Sequence, residues 1–227
     1  MKIEYIIEIL PSLVSKIPVV FIVFTLSFIT ALILAIAIVL IRKIEIPIIN
    51  TIVKFFISFS RSVPGLVHLF IVFYGLPSLL LKFNIDINSW NKVYFSILAL
   101  CIYHGSIISE IIRPAFEAIP NTQFEAGISI GMTSIQTVIR IIIPQMFPII
   151  LPSICNTCID LFLDTSLLFI IGVADIMGQA KILSANSFGI YQIEIYFTVA
   201  LIYWFFCWII GRIFIKLERC TNRFLMN

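Results

Sequence analysis

Ile17-Pro18-Val19-Val20-Phe21-Ile22-Val23-Phe24-Thr25-Leu26-Ser27-Phe28-Ile29-Thr30-Ala31-Leu32-Ile33-Leu34-Ala35-Ile36-Ala37-Ile38-Val39-Leu40-Ile41 runs for 25 residues without a charged side chain. About 20 such residues suffice for a helix to cross the hydrocarbon core of a bilayer, so this stretch reads as a span. The rest of the chain agrees. Of 227 residues, 61% are hydrophobic, 12% are charged and 21 are phenylalanine, and the mean hydropathy is +1.13. A soluble domain of this size is about a quarter charged. That balance excludes a soluble enzyme, a disordered chain and a secreted disulfide scaffold. It predicts an all-α integral membrane protein.

Working outward, the segment before this run does not read as a cleavable signal. Glu4 and Glu8 stand where basic residues belong, and no small-residue cleavage site follows the run. Further apolar stretches place spans at about residues 17–41, 55–81, 91–113, 141–173 and 192–216 of a single transmembrane domain covering 1–227. Five crossings put the termini on opposite sides. With the N-terminus outside, ten Lys and Arg residues fall on inner segments, all seven arginines among them, and five lysines fall outside. The positive-inside rule therefore gives N-out/C-in. The net charge of +3 is too small to argue for nucleic acid. Cys155 and Cys158 have CxxC spacing, but no second pair or histidine cluster accompanies them, so no metal or redox chemistry is expected.

The inner stretch at residues 114–140 is the informative connection. Gln123-Phe124-Glu125-Ala126-Gly127-Ile128 reads as a short helix, and Gly131-Met132-Thr133-Ser134 as its stop followed by the N-cap of another. A helix–turn–helix held between two spans on the inner face is expected to be gripped by a partner.

These residues resemble the Glu-Ala-Ala loop of permease subunits of ATP-binding-cassette (ABC) importers. Glu125-Ala126-Gly127, Gly131, Ile141 and Ile143-Pro144 stand at the family's spacing, with Gly127 replacing the second Ala and Ile143 replacing Leu. Gly127 costs the short helix about 1 kcal/mol of propensity relative to Ala, which predicts a looser helix. The resemblance continues over roughly residues 25–216. Arg61-Ser62-Val63-Pro64-Gly65, Tyr74-Gly75-Leu76-Pro77 and Asp164-Thr165-Ser166-Leu167 are similar to segments of histidine/glutamine-type permeases, although Leu163 replaces the usual Lys. The tail from Tyr196 to Trp204 is most similar to the cystine-type branch.

The resemblance implies a type I importer permease (MetI-like) fold with a cytoplasmic coupling helix, in the inner membrane of a bacterium. It implies import of a polar amino acid, with L-cystine as the candidate the tail suggests. The implied partners are ATPase subunits, a second permease chain (identical or paralogous) and an extracytoplasmic solute-binding protein. The implied coupling residues are Glu125, Ala126, Gly127, Gly131, Ile141 and Pro144. The chain has no Gly-Lys pair with which to cradle phosphate, so no cofactor is expected on it, and ATP with Mg²⁺ belongs to the ATPase. No catalytic or metal-binding residue is expected.

Polar groups within spans should face a partner or a wet cavity, because a centrally placed Arg, Lys or Asp costs ~2.5–3.5 kcal/mol in a membrane helix. Arg61 and Glu110 fall at the inner ends of adjacent spans, as a salt bridge or as a gate. Pro144, Pro148 and Pro152 each remove a backbone donor, which predicts that the fourth membrane helix starts near Pro152. Asp160 then lies ~12 Å and Asp164 ~18 Å along it. Sharing one face at i,i+4, two carboxylates repel unless a cation or proton joins them; the α-ammonium of an amino acid is such a cation. Thr165 and Ser166 are candidate hydroxyl partners, and Asn156 lies one turn earlier on the same face. With no Lys at 163, carboxylate recognition falls to Arg61 or His68. His68 and His104 read as isolated histidines bonding between helices. The rival reading is an ion-coupled secondary carrier built on Glu110, Asp160, Asp164 and the histidines. Such carriers are usually built from internal repeats, and none is visible here.

Overall fold

The computed structural model describes residues 2–44 and 46–226, with side chains through Thr221. All regular structure among the described residues is helical. In chain order the helices are α1 (Ile3–Val14), α2 (Ile17–Lys43), α3 (Pro47–Ser62), α4 (Gly65–Leu81), α5 (Lys92–Glu117), α6 (Asn121–Ser129), α7 (Ser134–Ile171), α8 (Ile176–Asn186) and α9 (Gln192–Met226). Four of them, α2, α5, α7 and α9, are each long and apolar enough to cross a membrane, and the α3–α4 pair makes five when counted as one broken span.

The second span, expected over about 55–81, is broken. α3 and α4 meet at 114°. The cause is local: Pro64 has no N–H and disfavours helical backbone in the residue before it, and Val63 is extended at φ −102°, ψ 132°.

The fourth span departs from expectation. It does not start near Pro152 but runs without a break from Ser134 to Ile171, through a π-helical turn at Val138–Ile142 and a closing 3-10 segment at Thr165–Ile171. Pro148 and Pro152 sit inside it. The prolines are four apart, so the carbonyls that lose their donors, those of Pro144 and Pro148, lie on one face. Proline's fixed φ is itself close to the helical value. One face loses bonds while the others continue. Lipid-embedded bundles tolerate such prolines where neighbouring groups compensate.

Packing centres on α2 against α5. α2 turns Ser27, Ala31 and Ala35, one turn apart, inward, and α5 answers with Gly105. A Cβ at Gly105 would lie 2.9 Å from Leu34 Cδ2 and 3.2 Å from the Ala31 carbonyl oxygen. In lipid no hydrophobic force pulls helices together, so small residues that bring backbones close supply the contact area. An aromatic cluster of Phe21, Phe24, Phe162, Tyr203 and Phe206 joins α2, α7 and α9.

Two shorter helices, α1 and α8, cap one end. Tyr5 stacks on Tyr191 at 4.0 Å, and Gln179 Nε2 donates to Ser12 Oγ at 2.8 Å. α8 begins at Asp175, whose carboxylate accepts the Gly178 N–H at 2.8 Å. Burial pushes this carboxyl up to about 6, against the lowering effect of that N–H.

Candidate functional site

Two regions gather the polar residues singled out in the sequence. The first is the α6–α7 corner. α6 ends at Gly131, whose φ of +86° suits only a residue without a Cβ clash. α7 then opens on a reciprocal cap: the Gln136 N–H donates to Thr133 Oγ1, and the Thr133 N–H to Gln136 Oε1. Gly127 is buried against this start. A Cβ there would lie 2.5 Å from Thr137 Cγ2, 2.7 Å from Thr137 Oγ1 and 3.1 Å from Ile141 Cδ1. The sequence predicts that Gly127 loosens the short helix; in the fold it lets α6 press onto α7. Glu125 and Ala126 face solvent, and Glu125 forms no ion pair among the described residues. Around them Ile128, Ile130, Ile135 and Ile139 are exposed. Ile141 packs inward beside Gly127, and Pro144 lies exposed on the first turn of the long α-helical part of α7.

The second region is a cavity of about 270 Å³ between α5 and α7, lined by Tyr103, His104, Ile107, Thr157, Asp160, Leu163 and Asp164. Asp160 and Asp164 do share it, as their spacing predicts. His104 is nearly fully buried on α5, and its Nε2 lies 3.0 Å from Asp164 Oδ2. Its Nδ1 is buried without a hydrogen-bond partner among the described residues. The carboxylate selects the tautomer with the proton on Nε2. Tyr103 bridges the two histidines: its ring centroid is 4.9 Å from that of His104 and 5.2 Å from that of His68. The start of α4 closes one wall, because a Cβ on Gly65 would be 3.2 Å from Tyr103 Cε1 and 3.4 Å from Asp164 Oδ2.

Several expected residues do not reach this cavity. Thr165 is buried and donates to the Phe162 carbonyl at 2.6 Å. Ser166 and Asn156 are outside the lining, and Asn156 is exposed. The cause for Thr165 and Ser166 is their step along the helix: one and two residues past Asp164, they lie about 100° and 200° round from it and do not share its face. His68 is held to its own helix, with Nδ1 3.3 Å from the Pro64 carbonyl oxygen, and reaches the cavity only through Tyr103.

Arg61 and Glu110 do meet, at 3.9 Å, but Glu110 has closer partners. Arg42 is hydrogen-bonded to it, and Arg113 Nη2 lies 2.9 Å from its Oε2 while also reaching Glu117 at 2.9 Å. The pair forms part of a five-residue ion network at the ends of α2, α3 and α5. Tyr103, His104, Thr157 and Gly65 were missed as site residues by sequence reasoning. The available signal was a His-Gly pair in the middle of an apolar run, where a polar ring needs a partner.

Comparison with known proteins places the chain as a whole. Residues 47–219 match the family model described as binding-protein-dependent transport system inner membrane component. The chain is 34% identical to the probable amino-acid ABC transporter permease protein PatM of Vibrio harveyi, over 97% of this chain and 96% of that one. It is also 34% identical to the L-cystine transport system permease protein TcyL of Bacillus subtilis, over 87% and 82%. Among solved structures, it superimposes on a chain of an amino acid ABC transporter crystallised with histidines at TM-score 0.81 and 25% identity, covering 96% and 98%. It shares its fold with a chain of the inward-facing methionine transporter MetNI at TM-score 0.70 and 16% identity, over 97% and 99%.

Proposed function

Because the chain belongs to the family of binding-protein-dependent transport system inner membrane components, we propose a division of labour between its two polar regions: the α5–α7 cavity holds the amino acid, and the α6–α7 corner receives the motor. The chain is a multi-pass permease subunit of an amino-acid ABC importer and not itself an enzyme. It works with ATPase and binding-protein partners. This membership removes the secondary-carrier alternative.

The observation that carries the cavity assignment is two carboxylates one turn apart, facing one void inside the bundle. Like charges so placed are unfavourable until a cation joins them, and the substrate's α-ammonium supplies it. His104 holds the Asp164 carboxylate in position, and Gly65 keeps the void open. At about 270 Å³ the cavity is below the ~300–1,000 Å³ of complete ligand sites. Asp160 and Leu163 are exposed at its rim, so a second permease chain completes it. The chain lies N-out/C-in in the bacterial inner membrane, on the strength of its cation distribution. The corner then faces the cytoplasm, where exposed Glu125 and the aliphatic side chains beside it dock onto the ATPase, which holds ATP and Mg²⁺. ATPase closure turns α6 as a lever on α7, and α7 carries both aspartates. Rigid-body rocking of this kind exposes the cavity to each side in turn. L-cystine is the substrate candidate, supported by likeness to the cystine permease.

The test is Asp164→Asn in the complete transporter reconstituted in liposomes. Uptake of cystine and other polar amino acids should be lost while the ATPase still co-purifies in full yield. Wild-type uptake by this variant overturns the cavity assignment; loss of the ATPase overturns the separation of roles.

A further inference from the structure

We infer that the inner end of the bundle carries a binding site for the headgroup of an anionic phospholipid, in the pocket where α2, α3 and α5 meet. The pocket, about 370 Å³, is lined by Arg42, Lys43, Lys54 and Arg113, with Glu117, Asn50 and two apolar side chains. The inference rests on the orientation proposed above only for which leaflet supplies the lipid.

Charge comes first. Across this pocket and the one adjoining it, Arg42, Lys43, Lys54, Arg61 and Arg113 stand against Glu110 and Glu117, five cations to two anions among the described residues, an excess of three. Both glutamates are committed to arginines. The three arginines outnumber the two glutamates by one, and the two lysines make up the rest of the surplus. Lys43 Nζ lies 3.4 Å over the Phe116 ring, and Lys54 is exposed with no ion pair among the described residues. A phosphodiester fits that surplus. Asn50 adds a second kind of group, since its Oδ1 is buried without a hydrogen-bond partner among the described residues. An acceptor in that state suits a ligand that brings a hydroxyl donor as well as a phosphate, which a glycerol headgroup does.

The case for a lipid over a soluble anion comes from α3. Ile48, Ile52, Phe55 and Phe59 recur at i, i+4, i+7 and i+11 and form one stripe, exposed by 73, 62, 72 and 44%. Asn50, Lys54 and Arg61 form a second stripe at i, i+4 and i+11, while Ile57 and Ser60 are buried against the bundle. The two stripes lie about 150° apart round the helix, so α3 turns its apolar face to the acyl chains and its basic face to the bundle and the headgroup level, the arrangement of a helix lying along the membrane boundary. Basic pockets between helices on the inner side are where anionic headgroups collect.

The experiment is native mass spectrometry of the purified permease–ATPase complex in detergent, titrated with phosphatidylglycerol or phosphatidylcholine. Wild type should retain one phosphatidylglycerol per permease chain in clear preference to phosphatidylcholine, and millimolar glycerol 3-phosphate should not displace it. Lys43→Gln with Lys54→Gln should weaken retention by about thirty-fold, the equivalent of two surface charges. Lys43→Arg with Lys54→Arg should retain the lipid and so control for folding. Equal retention of the two lipids overturns the site. So does a Gln double variant that still binds, displacement by glycerol 3-phosphate (a soluble-anion pocket), or loss of lipid once the ATPase is assembled (a pocket covered by a partner). Binding in detergent does not depend on sidedness. A Ser134→Cys variant labelled only from outside would refute the orientation and leave a measured lipid preference standing.

Discussion

Replacing Gly127 with Ala separates two forces that act on the α6–α7 corner in opposite directions. By helix propensity alone the change stabilises α6 by about 1 kcal/mol. By packing it does not, because the new Cβ would sit 2.5 Å from Thr137 Cγ2 and 2.7 Å from Thr137 Oγ1. Both γ positions of this fully buried side chain are in the way, so a 120° turn about χ1 clears at most one of them. Thr137 Oγ1 is in addition tied to the Thr133 carbonyl at 3.1 Å. α6 must therefore move off α7 by several tenths of an ångström. Overpacking of this kind costs about 1–3 kcal/mol, which leaves a net loss of about 1 kcal/mol after the propensity gain. Amide hydrogen exchange over residues 121–137 reads it directly: 1 kcal/mol of easier local opening speeds exchange about five-fold. ATP-driven uptake should fall with it, because the displaced helix is the one proposed to receive the motor. Adding Thr137→Ala removes both γ atoms and should return protection to wild type or above, since the propensity gain is then unopposed. If Gly127→Ala alone exchanges as slowly as wild type and transports normally, the packing account is wrong.

Gly131→Ala should slow nothing sterically, for no atom lies within 4 Å of its would-be Cβ. It should still cost about 1–2 kcal/mol through the left-handed backbone alone, seen as faster exchange at the same corner with no rescue by Thr137→Ala. Asp175→Asn tests burial. The folded carboxyl is raised from its ordinary value of 3.8 to about 6, so its contribution to stability is fully present below about pH 4 and is lost as pH rises through 6. The thermal midpoint of the Asn variant relative to wild type should therefore rise between pH 4 and pH 7.5; a pH-independent difference would refute the assignment. Glu110→Gln leaves Arg42 and Arg113 without the charge between them. Its side chain is 17% exposed, so the loss should be below that of a fully buried pair, about 1–3 kcal/mol, read as a lower thermal midpoint in detergent.

How far the sequence reaches depends on the range of the forces concerned. An uncharged run of 25 residues must leave water whatever its neighbours do, so the membrane class and the approximate spans are written in composition. The spaced Glu125, Gly127 and Gly131 set is local too, and the corner it predicts is the corner that forms. Pro64 acts through its own backbone, yet only the fold shows that it bends the second span by 114°. Pro148 and Pro152 mislead, because their lost hydrogen bonds fall on one face and the surrounding helix survives. Gly127 misleads for a complementary reason: propensity counts what a residue does to its own helix, whereas here its missing side chain serves a neighbour. The pairing of Asp164 with His104, 60 residues away, depends on which helix lies opposite. A linear pattern fixes where a charge sits along its own helix. Only the packed bundle fixes what stands across from it, because a partner is chosen by distance in space and not by spacing along the chain.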